Sequence, residues 1–120
     1  MTAIDQLLRS VLQQDKAPVV LCSMDSVIRY MNPAAIAEYH KDLTGMDLNR
    51  CHNPQSREKI RRVLAWFAES PGNNTVFTFH DDKENKDVYM VALRDDSGDL
   101  IGYYEKHEYR TPETAAPYSF

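Results

Sequence analysis

Apolar residues at the start of the chain recur at helical spacing. Ile4, Leu7, Leu8, Val11 and Leu12 fall at i, i+3, i+4, i+7 and i+8, one stripe on one helix. Thr2 stands where an N-cap is needed, with Asp5 three residues on, and Pro18 sets the far limit. The opposite face, with Gln6, Arg9, Ser10, Gln13 and Gln14, is expected in water. Five aliphatic side chains in a stripe need a cover, either the domain's own sheet or the same helix of a second chain.

The period then changes. Ala17 to Asp25 is a β-rich run, and Val27 to Met31 follows after a tight turn, which predicts a hairpin. Asn32-Pro33 opens a short helix over Ala34 to Lys41: asparagine caps, and proline suits the first helical position. Gly45 to Asn53 has no clear period and reads as loop with a helical turn. Asn53-Pro54 repeats the cap signal and starts the strongest helix, which ends at about Ser70 before Pro71-Gly72. Ile60, Val63, Leu64 and Phe67 form its buried stripe, while Arg57, Glu58, Arg61 and Arg62 face water. Three β runs complete the chain: Thr75 to His80, Asp87 to Arg94 and Leu100 to about Tyr109. Charged turns, Asp81 to Lys86 and Asp95 to Asp99, separate them. Thr111 to Phe120 reads as an extended tail.

The segregated order of helices and strands predicts an α+β domain with helices covering one face of an antiparallel sheet. The 120 residues support one such domain. Two cysteines, Cys22 and Cys51, are too few for a disulfide framework. A formal net charge of −4 argues against a nucleic-acid surface. No apolar run approaches the ~20 residues of a membrane span, and the first residues do not form a signal peptide. The expectation is a soluble cytoplasmic protein, with no nucleic-acid or membrane partner.

At this point the chain resembles a PAS domain over about residues 17–110. Asp25-Ser-Val-Ile-Arg-Tyr-Met-Asn32-Pro-Ala-Ala35 is similar to that family's first hairpin and the asparagine entering its first core helix. Gly45 sits where such domains place a glycine after that helix. The helix Asn53 to Ser70 stands where the family has its long connecting helix. Leu93-Arg-Asp-Asp-Ser-Gly98-Asp-Leu-Ile-Gly102 is similar to its last hairpin turn. The family usually has glycine where Ser26 stands, a departure expected to touch turn geometry only. Cys51-His52-Asn53-Pro54 also resembles a subgroup with a Cys-His-x-Pro turn before the long helix. The resemblance implies a five-stranded antiparallel sheet in the order 2-1-5-4-3, helices over one face, and a flanking N-terminal helix at residues 1–16. It implies a sensory or interaction module whose cavity holds a small molecule in some members.

Candidate chemistry follows from these placements. The resemblance implies that a light-sensing member would carry a reactive flavin cysteine three residues after the glycine, and Leu48 stands there. Haem needs an axial histidine, and residues 54–70 contain none. Both cofactors are therefore disfavoured and the cofactor is left unassigned. Cys51 and His52 are sequence neighbours whose side chains are expected to diverge, so no catalytic dyad and no enzyme is expected. Convergence of His40, His52, His80 and His107 on a metal would require four separated elements, and no metal site is expected. Tyr39 and His52 are the candidate polar handles of a ligand cavity, with Met31, Leu64, Trp66 and Met90 as its walls. Ile4, Leu7, Leu8, Val11 and Leu12 are the candidate dimer interface. The expected function is binding of a small molecule and signalling through protein contacts, as a homodimer or onto a separate signalling partner. The alternative is a ligand-free interaction module, and the second alternative is an enzyme on this scaffold.

Overall fold

The computed structural model describes residues 1–120 apart from the side chain of Cys51. In chain order it contains α1 (Ala3–Gln14), β1 (Val19–Ser23), β2 (Ile28–Met31), α2 (Pro33–Tyr39), α3 (Leu48–Cys51) and α4 (Pro54–Glu69). Three long strands follow: β3 (Thr75–Asp81), β4 (Lys86–Arg94) and β5 (Leu100–Tyr109). The five strands form one antiparallel sheet in the order β2-β1-β5-β4-β3, as the resemblance implies. The helices α2 to α4 lie over one face.

The helix starts obey their caps. Thr2 and Asp5 form a reciprocal capping box on α1. Asn53 caps α4 through Ser56 N–H, with Pro54 in the first turn. Asn32 does more than cap. Its Oδ1 accepts from Ala35 N–H and from Val19 N–H, both at 2.9 Å. Its Nδ2 donates to the carbonyls of Leu12 and Ala17 at 3.0 and 2.9 Å. This fully buried amide therefore joins the end of α1, the start of β1 and the start of α2.

The core lies between the sheet and the helices: Cys22, Ile28, Met31, Ala35, Phe67, Met90 and Tyr103. At Gly102 a Cβ would collide with the Cys22 carbonyl, so β1 and β5 require glycine there. Four features differ from the sequence expectation. Phe67 is the single fully buried residue of α4, while Ile60, Val63 and Leu64 are half-buried. Lys86 belongs to β4 rather than to a charged turn, and its side chain is 2% exposed because Glu38 and Glu84 pair with its ammonium at 2.9 and 2.6 Å. Arg9 lays its guanidinium over the Tyr30 ring, 5.3 Å from its centroid, where water alone was expected.

Ser26 is the fourth. It adopts a left-handed backbone, φ 62°, which glycine would accept without strain. Yet its buried hydroxyl accepts a hydrogen bond from the Tyr103 hydroxyl at 2.9 Å. The departure from glycine thus reaches the core as well as the turn.

Candidate ligand cavity

A cavity of ≈ 760 Å³ lies between the inner face of the sheet and α2, α3 and α4. Its apolar wall includes Ile28, Met31, Leu43, Leu48, Ile60 and Val63. The hollow follows from how α4 is held. Near its C-terminus Phe67 is fully buried, and Arg94 donates to the carbonyls of Phe67 and Ser70 at 2.7 and 3.2 Å. The same guanidinium bonds Asn74 Oδ1 at 2.7 Å and the Gly98 carbonyl at 3.0 Å. In the middle of α4 the inward residues, Ile60 and Val63, are half-buried against the core cluster and also form part of the cavity wall. The C-terminal end of the rod is clamped, and its middle roofs the cavity.

Of the residues singled out in the sequence, Tyr39, His52, Met31, Trp66 and Met90 border this cavity. Leu64 packs against the core cluster and is not among the lining residues. His52 ends α3, its backbone N–H donating to the Leu48 carbonyl at 3.1 Å. The Cys51 side chain lies outside the described residues, and so does the expected divergence of Cys51 and His52. Trp66 stands one step off the α4 stripe and flanks the opening.

Sequence reading missed Glu105. It sits on β5, the central strand, directly opposite Val20 on β1 and Met90 on β4. The row across the inner face reads Met31, Val20, Glu105, Met90, Val76, four apolar residues around one carboxylate. His107, two residues along the same strand, holds it through Nε2 at 2.9 Å. The available signal was the alternation Tyr103, Glu105, His107, which puts all three on one face of the last strand.

The titratable lining groups respond to this setting. Burial pushes the Cys22 thiol up to about 11, which keeps it un-ionised and a poor nucleophile near neutrality. Partial burial, with Glu105 and Glu38 nearby, pushes the Tyr39 phenol to about 12. Burial also raises Tyr103, against the opposing hydrogen bond to Ser26. Leu48, at the position where a flavin-reactive cysteine was sought, borders the cavity with an aliphatic side chain. Among the described residues no three His, Cys, Asp or Glu side chains gather into a metal-binding group.

No family model matches the chain, and no curated protein matches it. Solved structures do. A PAS domain from a Colwellia psychrerythraea protein superposes with a TM-score of 0.65 at 12% identity, covering 88% of this chain and 96% of that one. The chain has the PAS fold. The PAS domain of Bordetella pertussis BvgS gives a TM-score of 0.62 at 13% identity, covering 92% of this chain and 89% of that one. The C-terminal domain of a Streptococcus mutans protein gives 0.66 at 20% identity, covering 90% and 85%. These likenesses reach the PAS fold and do not extend to a subgroup with the Cys51-His52-Asn53-Pro54 turn. Among the described residues no helix is long and apolar enough to cross a membrane.

Proposed function

We propose that this PAS domain is a sensory module that takes a small molecule in the cavity beneath α4 and passes its occupancy on through protein contacts. The observation that carries the reading is the clamped-and-spanning geometry of α4: ≈ 760 Å³ of mostly apolar space under a helix anchored at Phe67. A ligand that prefers one seating of α4 shifts the population toward it. Tyr39 and His52 supply polar handles on the helical side of the cavity. The lining places its thiol, Cys22, beside hydrophobic neighbours and in an un-ionised state, which supports a binding role over a catalytic one.

The contact surface in this reading is α1. Ile4, Leu7, Leu8 and Val11 are 58–69% exposed, and Leu12 is half-buried. A groove of ≈ 640 Å³, lined in part by Leu8, Leu12, Leu21, Tyr30 and Ile36, separates the helix from its own domain. A capped helix with an uncovered aliphatic stripe fits pairing with the same helix of a second copy. That pairing also supports the second reading, a dimerisation module with no ligand.

Native mass spectrometry of protein purified from cells tests the two. A small molecule retained at the mass of the folded chain supports the sensor. A bare chain, with no absorption beyond the aromatic band and no adduct under gentle ionisation, favours the interaction module.

A further inference from the structure

We propose that the cavity is built for an amphipathic cation, a compact apolar or aromatic body carrying a protonated amine or amidine whose head sits on the Glu105 carboxylate. The inference rests on the small-molecule reading above and narrows it to a chemical class.

Glu105 is out of place by packing alone. It occupies the centre of the central strand in a row otherwise made of Met31, Val20, Met90 and Val76. A carboxylate among apolar neighbours carries a desolvation cost unless it is paired. The chain supplies one partner, His107, and that side chain is 6% exposed. Nε2 of His107 engages Oε1, and Nδ1 is buried with no hydrogen-bond partner among the described residues. The imidazole is thus committed to orienting Glu105. Among the described residues the second carboxylate oxygen has no protein donor, although the side chain is 40% exposed and borders the cavity.

The neighbouring lysines of the sheet are engaged elsewhere. Lys86 is taken by Glu38 and Glu84. Lys106, next along β5, pairs with Glu108 at 2.7 Å on the other face. Lys59 and Arg62 border the cavity from α4 with exposed side chains, at its rim. On the inner sheet face Glu105 therefore presents a carboxylate that no Lys or Arg of the strands pairs with among the described residues.

The aromatic residues point the same way. Tyr39, Trp66, Phe79 and Tyr103 all border the cavity, and ring faces attract a desolvated cation. A carboxylate with surrounding aromatic faces matches a cationic head and repels an anionic one. The aliphatic wall from α3 and α4, Leu48, Ile60 and Val63, receives the apolar body.

Three probes with one body and different heads separate the possibilities: 4-phenylbutylamine, 4-phenylbutan-1-ol and 4-phenylbutyrate, each titrated into the full chain by amide NMR at neutral pH. The expected result is that the amine binds about tenfold or more tighter than the alcohol, with the carboxylate weakest. Resonances of Tyr39, Met90 and Glu105 should move. Glu105→Gln retains an acceptor for His107 and should erase the amine's advantage while leaving alcohol binding intact. An anion preferred over the amine, or an amine preference that survives Glu105→Gln, overturns the cationic assignment and leaves the cavity reading standing. Failure of all three probes to bind overturns both.

Discussion

Nη2 of Arg94, on β4, donates to the Phe67 carbonyl of α4 at 2.7 Å, directly behind the only fully buried side chain of that helix. The last carbonyls of a helix have no intrahelical partner. Here one guanidinium serves those of Phe67 and Ser70 and continues to Asn74 and Gly98. The turn after α4 and the tip of the β4–β5 hairpin are thereby fixed to one strand. Arg94→Ala leaves the part-buried Phe67 carbonyl and Asn74 Oδ1 without this donor, while the Ser70 carbonyl keeps the Asn73 N–H, and should cost about 2–4 kcal/mol in urea unfolding. Arg94→Lys restores the charge without the planar fork and should recover under half of that loss.

Lys86 and its two carboxylates make an asymmetric pair of predictions. Burial disfavours its ammonium, but the hydrogen bonds it donates to Glu84 and Glu38 outweigh that and hold the pKa above the ordinary lysine value. A raised folded pKa contributes stability that is complete below about 10.4 and is lost as pH climbs through the folded value. Lys86→Met removes the buried charge and leaves two carboxylates that already reach water, so its cost should stay under about 1.5 kcal/mol. Glu38→Gln with Glu84→Gln strands the ammonium and should cost about 3–5 kcal/mol. Denaturant midpoints at pH 7 measure both. The wild-type advantage over the double variant should shrink above pH 11.

At Ser26 strain and bonding oppose each other. Ser26→Gly relieves the left-handed backbone, about 1–2 kcal/mol, but leaves the Tyr103 hydroxyl buried without its acceptor, about 1–3 kcal/mol. The two nearly cancel. In a Tyr103→Phe background the second effect vanishes, and Ser26→Gly should stabilise by about 1 kcal/mol. Ser26→Ala keeps the strain and drops the acceptor, so it should be the worst of the three. A thermal-unfolding cycle over the four combinations reads this out.

The stripe on α1 predicts the assembly. Leu7→Asp with Val11→Asp places charge on exposed aliphatic positions and leaves the Thr2–Asp5 cap untouched. Light scattering after size exclusion should move from a dimer mass to a monomer mass, with the thermal midpoint of the folded domain nearly unchanged. A wild-type chain that is monomeric at every concentration removes α1 as a pairing surface.

Much of the fold was legible because its signals are local. The Thr2, Asn32 and Asn53 caps, the proline positions and the strand alternation each act within a few residues. The sheet order followed from the resemblance those signals assembled. What was not legible depends on cross-strand register. Glu105 gains its meaning from Val20 and Met90, which are far away in sequence. Lys86 looked like a turn residue because Glu38, its partner on α2, is 48 positions earlier. Ser26 and Tyr103 are 77 apart. Periodicity gave Leu64 a place on the inward stripe with Ile60 and Val63, but the stripe alone cannot tell which of these core-packed residues also lines the cavity.

Amide hydrogen exchange along α4 tests the central claim most directly. A uniformly packed helix frays at both ends and is most protected in the middle. The geometry here predicts a gradient: Trp66 to Glu69, beside Arg94 and the buried Phe67 ring, exchange slowest, while Lys59 to Val63 exchange faster and slow down when 4-phenylbutylamine is added. Equal protection along the helix, or a protected N-terminal half with no response to the amine, would contradict a rod clamped at one end over a ligand cavity.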